Sequence, residues 1–441
     1  MLFLFKRKEK HIEQLIQQNE QQDYWSIVRK QFFKNKLAVW GLRIFYGILF
    51  VAIFADFIAN EKPIICKIDG EIHFPIFKQY FVDMGMQSWE EKFVLKKWLE
   101  QDYEFSIFPP ITYSPNTLDR ANSKFKSPFG DQIFDNENAG WHFLGTERIG
   151  IDIAAGLIHG SRTAMMVGIV AMSIALLIGL FLGSIAGYYG DDTLNVSLAR
   201  ILLNAIAMFF GFFYVFIVPG YPLTDLVSEG YIFMPLIIAI GCFVVFTGVA
   251  NLLTHFLKRV PFFAKKITIP ADIIVMRLIE IFNSIPLLVL ILAIVAIIDK
   301  PSVFFVMIIL GFVSWTSIAK FTRAELLRIR KLEYIEAAQA FGYSQFRIIF
   351  KHALPNALAP VLIAVAFGIA SAIIIEAYLS FIGVGIPDDQ VTWGSLLNMA
   401  RDNISAWWIA IFPGTAIFIT VTIFNLIGEG LTDALDPKMR E

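Results

Sequence analysis

The chain has 441 residues, of which 56% are hydrophobic and 17% are charged, and its formal net charge is −1. Soluble domains usually carry about 25% charged residues, so this composition favours a membrane protein. The chain lacks the overall positive charge that is typical of nucleic-acid-binding proteins, so we expect no nucleic-acid partner.

The N-terminal part, residues 1–37, is mostly polar and lacks a small-residue cleavage site, so we predict an uncleaved tail. A membrane-spanning helix needs about 20 apolar residues. Eight segments meet this requirement: 38–59, 162–187, 197–219, 232–256, 272–298, 302–322, 357–382 and 407–430. The sequence therefore predicts an all-α polytopic membrane protein with about eight transmembrane helices in the lipid bilayer.

The charge of the loops predicts the orientation, because Lys and Arg accumulate in short cytoplasmic loops. Two loops expected on one side are basic; they contain Lys258, Arg259, Lys265 and Lys266, and Arg323, Arg328, Arg330, Lys331, Arg347 and Lys351. The predicted outer loop, 220–231, has Asp225 and Glu229 but no basic residue. We therefore expect both termini, including Lys438 and Arg440, to be cytoplasmic.

Residues 60–145 are mixed and partly polar, which predicts a small extracytoplasmic insert packed on the outer ends of the helices. Within it, residues 89–99 are predicted to form one amphipathic helix between short strands and loops. Cys66 lies in this insert and Cys242 in a predicted span, so we expect no internal disulfide. Cys66 should react with thiol reagents added from outside.

A basic loop between two long apolar segments predicts two short helices. Residues 332–341 are good helix formers, and Gly342 supplies the left-handed residue that ends a helix. Ser344 is the predicted N-cap of the second helix. The apolar stripe of that helix is predicted to contain Phe346, Ile349, Phe350, Ala353 and Leu354. Pro355 is expected to end the unit.

The pattern Glu336-Ala337-Ala338-x3-Gly342-x11-Leu354-Pro355 resembles EAA-x3-G-x9-I-x-LP, the signature loop of ABC-importer permeases. His352 stands where the generic pattern has Ile. Residues 141–152 (WHFLGTERIGID), 183–190 and 376–385 (EAYLSFIGVG) resemble further motifs of the peptide-type permeases, in the family's order. The resemblance is to the second, C-type permease of oligopeptide and dipeptide importers. Residues 60–63 and 108–114 are similar to the microcin C/peptide branch.

The resemblance implies a transport subunit and not an enzyme. The implied coupling residues are Glu336, Ala337, Ala338, Gly342, Leu354 and Pro355, in a loop that docks onto two cytoplasmic ATPase subunits. ATP and Mg would be used by those partners, and this chain would bind no cofactor or metal. The other implied partners are a second permease subunit, giving a heterodimer, and an extracytoplasmic solute-binding protein. The implied location is the bacterial inner membrane.

Compared with that family, the chain is predicted to begin with a tail and a first helix at 38–59. The insert 60–145 and a segment 146–190 that contains the second helix follow. Residues 271–441 complete the permease core, with the coupling loop at 323–355. The family core has six spans, so residues 191–270 are predicted to be an inserted transmembrane hairpin. We expect this hairpin to face lipid or another chain and to have no transport role.

Ionisable side chains at membrane depth are costly and are therefore functional candidates. Arg277 and Glu280 lie at i, i+3 near the inner end of the fifth span, where they could pair with each other. Alternatively, Glu280 and Pro286 shape the translocation pathway, with Pro286 kinking the span. For Glu376, an orienting salt bridge and a substrate contact are equally supported.

The same residues argue against other classes of function. A membrane hydrolase would need paired Asp, a Ser/His set or a zinc motif inside the spans, and the sequence has none. It also has no G-x-x-x-x-G-K-[ST] motif for ATP. A channel or secondary carrier should have relay carboxylates deep in several spans, and only Glu280 and Glu376 come close. A solute such as nickel or a peptide-like antibiotic stays open as the cargo.

Overall fold

The computed structural model describes residues 26–134, 137–216, 234–297, 302–384 and 390–435. Predictions that rest on Asp225, Glu229, Lys438 and Arg440 lie outside these residues, as does most of the predicted tail. The chain divides into two compact units. One contains the residues before Ser184 and after Ile279, and the second is Ser184–Ile279.

Helices make up most of both units. In chain order they are α1 (Lys36–Ile53), α2 (Pro75–Asp83), α3 (Ile153–Ser184), α4 (Leu198–Phe216), α5 (Met234–Leu257), α6 (Ala271–Ser284), α7 (Leu287–Val295), α8 (Val303–Ile329), α9 (Glu333–Ala340), α10 (Leu354–Phe381), α11 (Trp393–Met399) and α12 (Trp407–Leu435). Side-chain caps begin several of them. Asn35 accepts a hydrogen bond from the Ala38 N–H at 3.1 Å, and Ser302 accepts one from Phe305 at 3.4 Å.

Within the described ranges, seven helices are long and apolar enough to cross a membrane: α1, α3, α4, α5, α8, α10 and α12. The pair α6 and α7 passes the same test together, although it is bent by 79° at the break between them. The count becomes eight if this pair is one span. The predicted all-α polytopic fold is confirmed.

Glycines set the distance between α3 and α8. A Cβ at Gly183 would lie 2.7 Å from the Ala319 carbonyl oxygen, and one at Gly311 would lie 2.7 Å from the Ala171 carbonyl oxygen. Because the backbones touch at these positions, any larger side chain would push the helices apart. Residue numbers rise together along the contact, so α3 and α8 run in the same direction.

Parallel packing of α3 and α8 requires an odd number of membrane crossings between them. The helices α4 and α5 and the bent pair α6–α7 supply three such crossings. At the other end of the fold, Gly41 of α1 packs against Ile423 and Leu426, and Gly430 packs against Ala38, so α1 and α12 are antiparallel. The start of α1 therefore lies beside the end of α12.

The insert contains an antiparallel sheet of β1 (Ile65–Ile68), β2 (Glu71–His73) and β3 (Phe105–Ile107), in the order β2-β1-β3. The predicted single helix over residues 89–99 is wrong. One turn of helix covers Glu91–Leu95 and a 3₁₀ turn covers Trp98–Glu100. A continuous helix would put Trp89 and Trp98 on opposite faces. The break lets both rings pack in one cluster, 5.1 Å apart.

Cys66 lies inside this small core and is 0% exposed. Burial raises the pKa of its thiol to about 11. The expectation that Cys66 reacts with added thiol reagents is therefore wrong, because the thiol is neither accessible nor ionised at neutral pH.

The insert is held on the ends of α1 and α3, as the sequence predicted. Arg162 of α3 donates to the Asp56 carboxylate at 2.7 Å and to the Ala52 carbonyl at 3.0 Å. Tyr80 of α2 donates to the same carboxylate at 2.6 Å. Hydrogen bonds from Tyr80 and Arg162 outweigh burial and lower the pKa of Asp56, so the carboxylate stays charged.

The second unit is built on the helix pair α4 and α5, and the predicted hairpin 191–270 lies within it. Aromatic rings line the contact between the helices; Phe246 lies 6.5 Å from Phe210 and 5.7 Å from Tyr214. Strand β4 (Asn195–Ser197) comes just before α4, and strand β5 (Lys266–Thr268) follows α5. The two strands pair as an antiparallel ribbon, which joins the start of α4 to the segment after α5.

We predict that Gly183→Ala destabilises the helical core by about 1–3 kcal/mol, because the new methyl group would overlap the Ala319 carbonyl. The matched control is Gly414→Ala in α12, where a Cβ has no heavy atom within 4 Å. The measurement is the unfolding midpoint of the purified chain in detergent. Equal midpoints for the two variants would contradict the close contact of α3 and α8.

Candidate functional site

The loop between α8 and α10 folds as two helical pieces joined by a tight turn. Helix α9 is followed by one turn over Gln345–Arg347, a π-helical turn over Ile348–Ala353, and then α10. Gly342 has φ +74°, in the left-handed region that favours glycine. The predicted left-handed residue is therefore present.

Backbone hydrogen bonds fix the turn as a Schellman motif. The Tyr343 N–H donates to the Ala338 carbonyl at 3.2 Å, and the Gly342 N–H donates to the Gln339 carbonyl at 2.9 Å. Ser344 then accepts from the Arg347 N–H at 3.4 Å and caps the second piece, as predicted. The direction of the second piece relative to α9 thus depends on local bonds at Gly342.

The loop presents aromatic side chains outwards and buries small aliphatic ones. Phe341 is 76% exposed and Phe346 is 70% exposed. Glu336 and Ala337 are exposed as well. The side chains buried in the loop are Ile335, Ala338, Ile348, Ile349 and Ala353. The surface formed by Glu336, Ala337, Phe341, Phe346 and Phe350 is called the docking face below.

Ala338, one of the implied coupling residues, is therefore buried within the loop, whereas Ala337 is exposed. Helical geometry puts Ile335 and Ala338 on one side of α9, and that side packs against the π-helical turn. A bulky residue at position 338 would disrupt the loop itself, so it is unsuitable for testing contacts with a partner.

The prediction that Pro355 ends the unit is also wrong. Leu354 and Pro355 are half-buried in the first turn of α10, which continues to Phe381. Proline is tolerated at this position because the N–H it lacks has no intrahelical partner in a first turn. The preceding π-helical turn provides room for the proline ring. His352, which departs from the family pattern, stacks on Tyr343 with ring centroids 5.9 Å apart.

A cavity of about 760 Å³ lies among α3, the α6–α7 break, α8 and α10. Pro286 lies at this break, where the sequence predicted a kink, and it lines the cavity together with Asn283. The polar lining is completed by the hydroxyl groups of Ser314, Thr316, Ser317, Ser371 and Thr432. The described lining includes no charged side chain.

The ionisable candidates lie elsewhere. Arg277 and Glu280 are on α6 and both are exposed. Glu280 is not among the described residues that line the cavity. The cavity therefore brings together Pro286 and a set of hydroxyl groups, and not the carboxylates that the sequence singled out.

Glu376 is 1% exposed and belongs to the contact between α10 and α11. The Ser380 hydroxyl donates to its carboxyl Oε1 at 2.6 Å, and the Thr392 hydroxyl is a second partner. In the described part of the chain this carboxyl has no ion pair and does not line the cavity. Its partners among the described residues are thus hydroxyl groups, and no described cation forms the salt bridge that was one of the two alternatives.

The segment 141–152 leads into α3 and contains a buried histidine between two carboxylates. His142 is fully buried, with Nδ1 2.8 Å from Asp152 Oδ2 and Nε2 3.1 Å from Asp119 Oδ2. Tyr113 stacks on the imidazole at a centroid distance of 4.1 Å. Asp119 was not predicted, since it lies far from His142 in sequence and in no recognisable pattern. Tyr113 falls in the segment 108–114, but its contact with His142 was not predicted.

These contacts change the pKa values of the cluster, which lies outside the spans. Burial opposes the charge on His142, but hydrogen bonds to Asp119 and Asp152 outweigh it and raise the imidazole pKa. Burial also opposes the charge on Asp119, but hydrogen bonds from His142 and Asn122 lower its pKa to about 2. The charged forms of both groups are therefore favoured in the fold.

Comparisons with known proteins agree with this architecture. The family model described as "Binding-protein-dependent transport system inner membrane component" matches residues 262–441. The model for the "N-terminal TM domain of oligopeptide transport permease C" matches residues 23–73.

Three curated relatives cover most of the chain. An inner membrane ABC transporter permease protein, YejE of Escherichia coli, is 25% identical over 92% of this chain and 95% of its own length. A peptidoglycan transport system permease protein, YejE of Agrobacterium fabrum, is 26% identical over 93% of this chain and 92% of its own. A dipeptide transport system permease protein, DppC of Alkalihalophilus pseudofirmus, is 30% identical over 68% of this chain and 73% of its own.

We predict that His142 makes stability depend on pH. Its raised pKa means that its contribution is complete below the ordinary histidine value of about 6.5 and is lost as pH rises through the raised value. The contribution of Asp119 is instead lost only as pH falls towards about 2. In denaturant titrations at increasing pH, the wild-type chain should lose stability as pH rises above the ordinary histidine value of about 6.5, and His142→Asn should not. Parallel profiles would contradict a charged His142.

Proposed function

The chain belongs to the family of ABC-importer permeases, the inner membrane components of binding-protein-dependent transport systems, and on that premise we propose that it forms half of a peptide translocation pathway. A second permease subunit would form the other half. Two cytoplasmic ATPase subunits would use ATP and Mg, while this chain binds no cofactor. A solute-binding protein would deliver substrate to the outer side.

The observation that carries the proposal is the docking face. It has exposed aromatic rings and an exposed carboxylate, and its orientation is set by the Gly342 turn. Exposed Phe341 and Phe346 side chains are unfavourable in water, so they suit a surface that a partner subunit covers. Movement of an ATPase bound there would pass directly to α8 and α10, which lead out of the two ends of the loop.

The cavity supports a peptide as the cargo. Hydroxyl and amide groups, such as those of Ser317 and Asn283, can pair with peptide N–H and C=O groups whatever the side chains are. The described lining has no His, Cys or carboxylate, the groups expected for binding nickel. The names of the relatives include both dipeptide and peptidoglycan transport, so uptake assays should compare free peptides with peptidoglycan-derived peptides.

We predict that Gly342→Val uncouples transport, because a β-branched residue in the left-handed region costs about 1–2 kcal/mol and would re-aim the docking face. Substrate-stimulated ATP hydrolysis by the reconstituted complex should fall about tenfold, in proportion to that cost. The matched control is Gly85→Val in the insert, where φ is +71° and a Cβ likewise has no heavy atom within 4 Å.

Both variants should insert into the membrane, and the Gly85 variant should hydrolyse ATP and import peptide like the parent. If the Gly342 variant also retains full hydrolysis and uptake, the loop is not the coupling surface. If hydrolysis is normal but no peptide is imported by the parent complex, the coupling assignment stands and the peptide assignment fails.

Orientation is proposed from loop charge, and cysteine labelling tests it. In a chain with Cys242 replaced, Phe129→Cys, at a position 90% exposed in the insert, should react with a membrane-impermeant reagent added outside intact cells. Gln345→Cys, beside the docking face, should react only after the membrane is opened. The buried Cys66 should give no background. The opposite pattern would reverse the orientation and remove the docking face from the cytoplasm.

A further inference from the structure

The segment Lys258–Thr268, at the end of α5, combines basic and aromatic side chains and is called the basic–aromatic loop. Its sequence is KRVPFFAKKIT, with four basic residues and no acidic one. The family resemblance assigns its coupling role to the loop 323–355 and gives no role to this segment. The transport mechanism proposed above does not use it either.

The loop has a defined backbone. A turn follows α5, one helical turn covers Pro261–Ala264, and β5 then pairs with β4. The Leu198 N–H donates to the Lys265 carbonyl at 2.9 Å, and the Ile269 N–H donates to the Leu194 carbonyl at 2.9 Å. These bonds fix the backbone at Lys265 and Lys266, which follow the aromatic turn in sequence, while Lys258 and Arg259 precede it.

The side chains of the loop are open to the surroundings. Phe262 is 66% exposed and Val260 is 49% exposed, and all four basic residues are exposed. Arg259 lies over the ring of Phe256, 5.6 Å from its centroid. Phe256 is itself 58% exposed in the last turns of α5. The aromatic surface of the loop therefore continues that of a membrane-spanning helix.

We propose that the basic–aromatic loop binds anionic lipid headgroups at the membrane surface. Its aromatic turn would enter the interface beside the end of α5, and the two basic pairs would contact the headgroup phosphates on either side.

Charge and continuity with the spans favour lipid over a protein partner. The acidic residues described in this unit are Asp191, Asp192 and Asp272. Asp191 accepts a hydrogen bond from the Ile273 N–H at 3.0 Å. The loop itself keeps a net charge that matches an anionic leaflet, and its exposed rings match the hydrocarbon boundary.

The test uses the full chain with Cys66 and Cys242 replaced by Ala and Phe262→Cys labelled with a bimane fluorophore. The labelled protein is reconstituted in phosphatidylcholine vesicles that contain doxyl-labelled phosphatidylglycerol or, in a parallel sample, doxyl-labelled phosphatidylcholine. Quenching by the anionic lipid should exceed quenching by the zwitterionic one by about fivefold or more. High salt should reduce the difference.

The preference should disappear when Lys258, Arg259, Lys265 and Lys266 are all changed to Gln. The matched control changes Lys67, Lys92, Lys96 and Lys97 of the insert to Gln, which removes the same charge from an exposed surface elsewhere. This control should keep the preference. Equal quenching by the two lipids, or a preference that survives in the quadruple loop variant, would overturn the proposal. The proposal would also be overturned if neither lipid quenched the bimane and its emission shifted when the ATPase subunits were added, because the loop would then contact protein.

Discussion

Contact between the backbones of α3 and α8 is the constraint on which the rest of the transport core depends. Apolar surfaces gain little by associating inside a bilayer, so helices there are held by close packing and polar contacts. Gly183 and Gly311 allow this close approach, because backbone atoms of the opposite helix occupy the space that a Cβ at either glycine would need. The cavity and the loop after α8 both take their positions from this contact, since α8 contributes to each.

The turn and the helix cap of the coupling loop could be predicted from the sequence, whereas the division of its side chains into buried and exposed could not. Gly342 and Ser344 act through bonds to residues within one turn, so their types and spacing were sufficient. The buried side of α9 depends on which residues meet the π-helical turn, and Ile335 and Ala338 do so. An exposed Phe341 has the hydropathy of a core residue. A sequence pattern therefore cannot distinguish a core from a surface that a partner covers.

Long-range polar contacts were the other limit. His142 could be noticed within its motif, but neither of its contacts with Asp119 and Tyr113 has a local signal. Glu376 shows the same difficulty at membrane depth. The cost of its burial was correctly expected, but its partner is a hydroxyl one turn along its own helix and not a cation. The number of spans was far easier to predict, because each span has its own hydrophobic length, and α6–α7 differs only by the bend at Pro286.

The ribbon of β4 and β5 brings the two ends of the hairpin unit side by side, with the Asp272 N–H donating to the Gly190 carbonyl at 3.3 Å. A segment whose ends already meet can be added to a host chain, or removed from it, with little change in the path of the chain on either side. The unit therefore has the form of a cassette. Related permeases could acquire or lose it in one genetic event, and its sequence could then diverge at a rate separate from that of the other helices.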